Sequence, residues 1–317
     1  MATLTNKIDF AVIVSVKHAN PNGDPLNGNR PRVNYDGLGE LSDVCIKRKI
    51  RNRLLERWDS LKGKEKDGQS IFVQSDDNRL DDYRSLRSRA EGVLANADMS
   101  DDKKYRVAAC KEWIDVRSFG QVFAYKAGGK KPKKAKDATE GEDEKGEGAG
   151  VSIGIRGPVS IHPAFSIAPV LDRTSSIQIT KSVSGEGDGA KKASDTMGMK
   201  HRVNHGVYLF CGSMNPQLAT KTLFNDDDAQ SIKEALRTLF VNDASSARPE
   251  GSMEVHKVFW WEQKPGAKQY SSAKVHRSVK VKVKDGVTEP KSIEDYDIKI
   301  SPLDGLKPNP EGGIDGE

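Results

Sequence analysis

The segment from Ile8 to Val16 (IDFAVIVSV) is apolar and rich in β-branched side chains, with only Asp9 and Ser15 interrupting it. A run of that length and composition reads as a strand. Because apolar residues occupy both alternating sets of positions, the strand must be covered on both faces. The run ends at His18-Ala19 and gives way to Asn20-Pro-Asn-Gly-Asp-Pro25, a concentration of turn formers that no strand or helix can absorb. Whatever fold this chain adopts must supply a layer above and a layer below this strand, and must let it run out into a long, turn-rich loop.

The remaining segments supply those layers. Leu41 to Trp58 (LSDVCIKRKIRNRLLERW) is predicted as an amphipathic helix capped by Ser42 or Asp43. Ile46, Ile50 and Leu54 repeat one turn apart, and Leu55 and Trp58 extend the stripe. Asp226 to Phe240 is a second helix with acidic residues in its first turn, where the helix dipole favours them. Residues 60–82 read as loop, and a polar helical region follows to Trp113. Asp115 to Tyr125 is expected to be a loop running into a short strand. Val151 to Val170, Leu171 to Thr180, Val207 to Cys211, Met253 to Trp261 and Ala273 to Val283 read as extended. Residues 126–150 pass from a lysine block to an acidic, glycine-rich block and are expected to be a disordered surface insertion. The stretch after Pro302 is expected to lack order. This order of elements predicts an α+β fold, with helices on one face of a mainly antiparallel sheet.

Composition narrows the function. The chain has 317 residues, and 51 basic against 46 acidic residues leave a net charge of +5. Such an excess permits nucleic-acid binding without requiring it, so local clusters must decide. No apolar run is long enough to cross a bilayer, and Met1 to Asp9 lacks the pattern of a signal peptide. Three scattered cysteines form no CxxC pair and no disulfide framework, which points to a reducing cytoplasm.

Four segments are candidates for chemistry. The helix from 41 to 58 carries Lys47, Arg48, Lys49, Arg51, Arg53 and Arg57, with Lys47 and Arg51 one turn apart on one face. That face suits successive phosphates, or it is simply solvated. The loop from Asn20 to Arg32 (NPNGDPLNGNRPR) holds Asn22, Gly23, Asp24 and Asn29, whose turns bring backbone amides near a phosphate, and Arg30 and Arg32, which can pair with one. A plain connector is the alternative. Arg117 and Phe119 combine a cation with an aromatic ring, as stacking on single-stranded nucleic acid requires, although a lone phenylalanine before a strand is more often core. The stretch from Lys181 to Arg202 joins flexible glycines to Lys200, His201 and Arg202, with Met197 and Met199 available as wedges between bases; a disordered loop is the competing reading. His201 and His205 have the spacing of helical metal ligands, but their neighbours are not helical. No HExxH, P-loop or GxSxG occurs, so no metal site, cofactor or catalytic residue is expected.

Taken together and in order, these segments resemble the backbone subunit of the type I-C CRISPR Cascade complex, a member of the repeat-associated (RAMP) superfamily. The resemblance rests on the first strand with NPNGDP at 20–25 and the arginines at 30 and 32, on GVSIGIRGPVSIHPAFSIAPV at 150–170, on KHRVNHGVYLF at 200–210, and on the helix through Leu236 running into ASSARPEGSMEV at 244–255. It does not extend to residues 126–150. The resemblance implies a single domain over 1–317 with an RRM-like (ferredoxin-like) core, helical and β-hairpin insertions, and a hand shape of palm, fingers and thumb. It places the thumb hairpin at 172–205, with Met197 or Met199 as wedges and Arg117 near the RNA path. It further implies CRISPR RNA, target DNA reached through the guide, other Cascade subunits and further copies of the chain, stacked head-to-tail, as partners. Catalysis is not implied. Two rivals remain. One is a metal-dependent RNA-cleaving subunit of the type III kind, using Asp24 or Asp36. The other is a single-stranded nucleic-acid binder with no guide role.

Overall fold

The computed structural model describes residues 2–97, 101–125, 151–170, 172–180 and 195–312. In chain order the elements begin with β1 (Lys7–Ala19), β2 (Gly23–Asp24), β3 (Arg30–Pro31), β4 (Leu38–Leu41) and α1 (Asp43–Ser60). Next come α2 (Leu86–Val93), α3 (Asp102–Glu112), α4 (Ile114–Phe119), β5 (Gly120–Tyr125), β6 (Val151–Arg156), β7 (Val159–Ile161), β8 (Ala164–Pro169), β9 (Asp172–Thr180) and β10 (Asp195–Met214). The chain continues with α5 (Pro216–Thr222), α6 (Asp226–Arg237), β11 (Met253–Gln263), α7 (Ser272–His276), β12 (Val279–Val283), β13 (Tyr296–Ile300) and β14 (Asn309–Gly312).

The main sheet has the order β14-β11-β1-β10-β8-β4, with β7 and β9 also paired to β10, and its pairings are antiparallel. As the sequence requires, β1 is buried on both sides. Phe10, Val12, Val14 and Val16 join Ile46, Ile50 and Leu54 of α1 and Ile232 and Leu236 of α6 in one core. Ala11 and Ile13 face the other way, into a second core with Phe259, Trp261, Val275, Val279 and Tyr296. The α+β prediction thus holds, but helices do not do all the covering: the β12–β13 hairpin and α7 close the second face. Asp9, the one acid in the apolar run, is fully buried on that second face. It accepts a hydrogen bond from Gln263 Nε2 (2.6 Å) and lies 3.4 Å from Lys7 Nζ.

A β-bulge sets the parity of β11. Its register against β1 shifts between Ile13 and Val14, so that His256 has no partner of its own. Val255 therefore faces the first core together with Val258 and Trp260, while Phe259 and Trp261 face the second. A third, aromatic core lies in the segment between α1 and β7, where Phe72, Tyr105, Trp113 and Phe123 pack together.

Several sequence expectations change. Residues 114–119 form α4 rather than a loop. Residues 273–283 divide into α7 and β12: Ser271 caps a helical turn, and Val275 of α7 and Val279 of β12 share the second core. The second helix stops at Arg237, although Leu239 stays buried beyond it. The segment after Pro302 is not without order, because β14 pairs with the open edge of β11, where Pro310 is tolerated. Residues 126–150 lie outside the described residues. No helix among the described residues is long and apolar enough to cross a membrane.

Two tests follow from this packing. A Cβ on Gly39 would sit 2.3 Å from the hydroxyl of the buried Tyr208, so Gly39→Ala is expected to lower stability in urea titration by about 1–3 kcal/mol. An unchanged midpoint would mean that Tyr208 moves aside freely. The second test concerns His205, His256 and His276, which burial pulls below the usual imidazole range, against the opposing pull of Asp295, Glu254, and Gly212 and Asp9 respectively. The unfolded chain, titrating near pH ~6.5, then binds protons that the folded chain refuses. Stability is full above that pH and declines as pH falls below it. The melting temperature should drop between pH ~7.5 and ~5.5, before the carboxylates titrate, and His276→Gln should flatten the decline.

Candidate nucleic-acid interface

Antiparallel pairing of β1 with β10 brings Ala19 opposite Val203, so the loop that follows β1 and the ribbon that precedes this part of β10 leave the sheet at the same end. A third segment joins them: Asn20 N donates to Ala247 O (2.9 Å) and Lys17 N to Ser252 O (2.8 Å). Three stretches distant in sequence therefore meet at one end of the sheet.

The loop from 20 to 32 is built from its own hydrogen bonds. Asn22 Oδ1 accepts from both the backbone N and the hydroxyl of Ser42, each at 2.9 Å, which ties the loop to the residue that caps α1. Asn20 Nδ2 donates to Asn29 O (2.7 Å), and Arg32 N donates to Asn22 O (2.9 Å). The strands β2 and β3 pair across a tight turn. There the Asp24 carboxylate accepts from Leu26 N (3.1 Å), and Gly28 and Asn29 both take left-handed backbone angles, φ 58°. A Cβ on Gly23 would crowd the Asn29 side chain across the turn. The expected phosphate-facing groups thus divide. Asn22 and Asp24 are used in holding the turn, Arg32 lies 3.5 Å from Asp24, and Arg30 and Leu26 are exposed at the tip, Leu26 almost completely (97%).

Much of the basic stripe of α1 is committed to protein partners. Lys47 pairs with Asp43 (2.9 Å), Arg48 donates to Val73 O (2.9 Å) and Arg51 pairs with the buried Asp115 (2.8 Å) while lying 5.1 Å from the Phe119 ring centre. Lys49 is buried and paired with Asp243, which also accepts from Arg248 (3.1 Å). Burial pulls the Lys49 ammonium below its ordinary value, while Asp243 opposes the shift. Burial likewise pushes the Cys45 thiol up, away from thiolate chemistry. The cause is position: α1 is packed between the sheet, the aromatic core segment and the 240s turn, and cations in such places survive only when paired.

Arg117 is a clear correction. It is buried on α4 and grips Asp228 of α6 in a two-pronged ion pair (2.8 and 2.6 Å), with further bonds to Gly68 O and to Cys110 O (3.4 Å). Phe119 is packed against the first core. Both join the α2–β6 segment to the main core.

The ribbon is the feature that does extend outward. β9 pairs with β10 from Asp172↔Val203 to Thr180↔Asp195. Beyond Val203, β10 leaves β1 behind and has β9 as its only strand partner among the described residues. Met197, Met199 and His201 occupy alternate positions along β10, and Lys200 and Arg202 the positions between them. Met199 is 61% exposed and Arg202 is exposed. Lys181 lies outside the described residues. His201 and His205 sit on a strand, where four residues span about 13 Å, too far to share one ion. No group of three or more metal-ligating side chains occurs among the described residues. Sequence reasoning missed Lys17, His18 and Arg248, which the pairing of β1 and the 240s turn bring to the same end of the sheet; Arg248 lay in a segment noted only for its family resemblance.

Comparison with known proteins adds to this geometry. The family model described as CRISPR-associated protein Cas7 matches residues 6–301. The CRISPR-associated protein Cas7 of Haloferax volcanii is 25% identical over 236 residues. That match covers 73% of this chain and 63% of the relative, so over a third of the relative's length has no counterpart in it. A chain of a solved "CRISPR RNA-guided surveillance complex, pre-nicking" aligns at TM-score 0.45 and 12% identity, covering 89% of this chain and 84% of that one. A chain of another "CRISPR RNA-guided surveillance complex" aligns at TM-score 0.38 and 15% identity, covering 89% and 78%. Superpositions as loose as these do not define a shared fold.

Arg117→Ala would leave Asp228 buried without its counter-charge. A loss of about 3–5 kcal/mol is expected in denaturant unfolding. A loss under about 1 kcal/mol would show that the pair is solvated and would reopen the RNA-facing assignment.

Proposed function

The chain belongs to the Cas7 family of CRISPR-associated proteins, and from that premise we propose that it is the crRNA-binding backbone subunit of a type I-C Cascade complex. Copies stack head-to-tail along the guide, hold its backbone and leave its bases to pair with target DNA, while other Cascade subunits close the ends of the assembly. The observation that carries this reading is the family match from 6 to 301, because it spans the turn-rich loop, α1 and the ribbon together. The proposed division of labour is physical. The core is the RRM-like palm, the β9–β10 ribbon is the thumb, and the loop tip with Arg30 meets phosphate. Base pairing then carries the sequence information while the protein grips shape and charge. A head-to-tail interface is open, so growth is limited by RNA length and by end-binding partners. We place no catalytic role on the chain: of Asp24 and Asp36, the two residues a cleaving subunit could use, Asp24 is engaged in capping a turn.

Co-expression with a CRISPR array and partner subunits should yield a multi-copy particle holding RNA of one length. RNA of mixed lengths on a monomer would favour the plain single-strand binder, and metal-dependent cleavage abolished by Asp24→Ala would favour the type III kind of subunit. Within the particle, Arg30→Ala combined with Arg202→Ala should weaken RNA binding and reduce the salt slope by about 0.7 for each phosphate left without its cation. An unchanged slope would remove the loop tip and ribbon base from the RNA path.

A further inference from the structure

The hairpin that closes the second face of the sheet has two unlike sides. Val279, Val281 and Val283 of β12 and Tyr296, Ile298 and Ile300 of β13 turn inward to the second core. Alternation then sends Lys280, Lys282, Asp297 and Lys299 outward. Lys284 N still donates to Asp295 O (2.8 Å), so the row of lysines continues one residue past β12. All four lysines are exposed. Those on β12 follow one another at about 6.8 Å along the strand. Apolar packing behind the hairpin fixes the row in place, on the side of the sheet away from α1 and α6.

The charges on this face do not cancel. Lys282 takes both Asp285 (3.1 Å) and Asp297 (3.9 Å). Asp295 gives its carboxylate to the backbone amides of Lys291 and Ser292. The ammonium groups of Lys280, Lys284 and Lys299 have no hydrogen-bond or ion-pair partner among the described residues. Lys280 and Lys299 stand directly opposite each other across the ladder. Like charges so placed weaken a strand pair. Deterring edge-to-edge pairing accounts for a lysine on either strand, but it does not call for two of them face to face. An anion lying over the pair removes the repulsion.

The composition of the face selects the anion. Protein interfaces are depleted in lysine and anchored by aromatic or apolar side chains, none of which this face offers. Single-stranded nucleic acid is held by aromatic rings interleaved with cations, and no ring lies among Lys280, Lys282, Asp297 and Lys299. A row of lysines without rings suits a duplex, whose bases are stacked inside and whose phosphates are presented in series. We propose that the outer face of the β12–β13 hairpin binds double-stranded DNA through its phosphate backbone, without reading sequence. The choice of DNA rests on the function proposed above, in which the guide pairs with a DNA target; the cationic face does not depend on it. The contact holds duplex against the protein before any base meets the guide, on a surface that the loop and the ribbon leave unused.

The test uses the full chain and two fluorescent probes, a short DNA duplex of arbitrary sequence and a single-stranded RNA. Each is titrated by anisotropy over a series of salt concentrations. The variant carries Lys280→Gln, Lys284→Gln and Lys299→Gln together, all at exposed positions. Its affinity for the duplex should fall about tenfold or more, with a salt slope flatter by about 0.9 for each lysine that faces a phosphate. Its RNA binding should be unchanged and its melting temperature no lower, since the opposed pair is gone. Unchanged duplex affinity and slope in the variant, or no duplex binding by the wild type, overturns the proposal. An equal loss for RNA puts the guide on this face and overturns it as well. Loss of self-association with duplex binding intact makes the occupant an acidic surface of a neighbouring copy, which also overturns it. Tighter binding of an RNA duplex than of the DNA duplex overturns the choice of DNA. Duplex binding that needs the three lysines, in a chain that binds no single-stranded RNA, upholds the face and sinks the RNA reading.

Discussion

Everything else in this molecule depends on the burial of β1 on both faces. A strand with apolar side chains at odd and even positions cannot leave one side to water. The chain answers with two covers of different construction: α1 and α6 on one face, the β12–β13 hairpin and α7 on the other. The bulge at His256 shows how strictly this is enforced. Without an extra residue there, Val255 would face the same core as Phe259 and Trp261, and the first core would lose it. Full coverage also explains why the loop after β1 must be long and self-supporting. The strand ends at the boundary of both cores, and the chain travels around to the start of α1 held by its own turns, by Ser42 and Ala247, and by the pairing of β4 with β8.

The second organising interaction is a set of paired buried charges. Arg117 with Asp228, Arg51 with Asp115, and Lys49 with Asp243 each join elements far apart in sequence. Asp115 illustrates the economy of such a junction, since its carboxylate also accepts from Phe72 N and Val73 N and so terminates two backbone donors along with a guanidinium. Buried pairs of this kind contribute little net stability relative to apolar packing, but they are costly to break singly. Their effect is to fix where the aromatic core segment sits relative to the sheet. They also take up two of the six cations on α1, Lys49 and Arg51, that a composition-based reading would have offered to nucleic acid.

That contrast sets the limit of what could be read from the residues alone. The strand from 8 to 16, the capped helix beginning at Ser42 and the amphipathic stripe of α6 were legible because each depends on local periodicity and local capping. The turn at 20–32 was legible as a turn, since Asn, Gly, Asp and Pro at those positions act through their own backbone. The partners of Arg51, Arg117 and Lys49 were not legible. Asp115, Asp228 and Asp243 stand 64, 111 and 194 residues away from them, and charge identity says nothing about which cation meets which anion. The strand β14 was missed for a related reason: a segment rich in glycine and proline is ordered here only because β11 offers it an open edge.

The interface inherits its precision from the core. The loop tip with Arg30, the ribbon with Met199 and Arg202, and the 240s turn with Arg248 share no local signal that would bring them together. They are neighbours because Ala19 pairs with Val203, Lys17 N with Ser252 O, and Asn20 N with Ala247 O. A slip of one residue between β1 and β10 would exchange Val12 and Val14 for Ile13 and Ala11 on the helix-covered face, and would at the same time displace the ribbon from the loop. The alternation that keeps Phe10, Val12 and Val14 against the helices is therefore what holds cations of three separate segments at one end of one sheet.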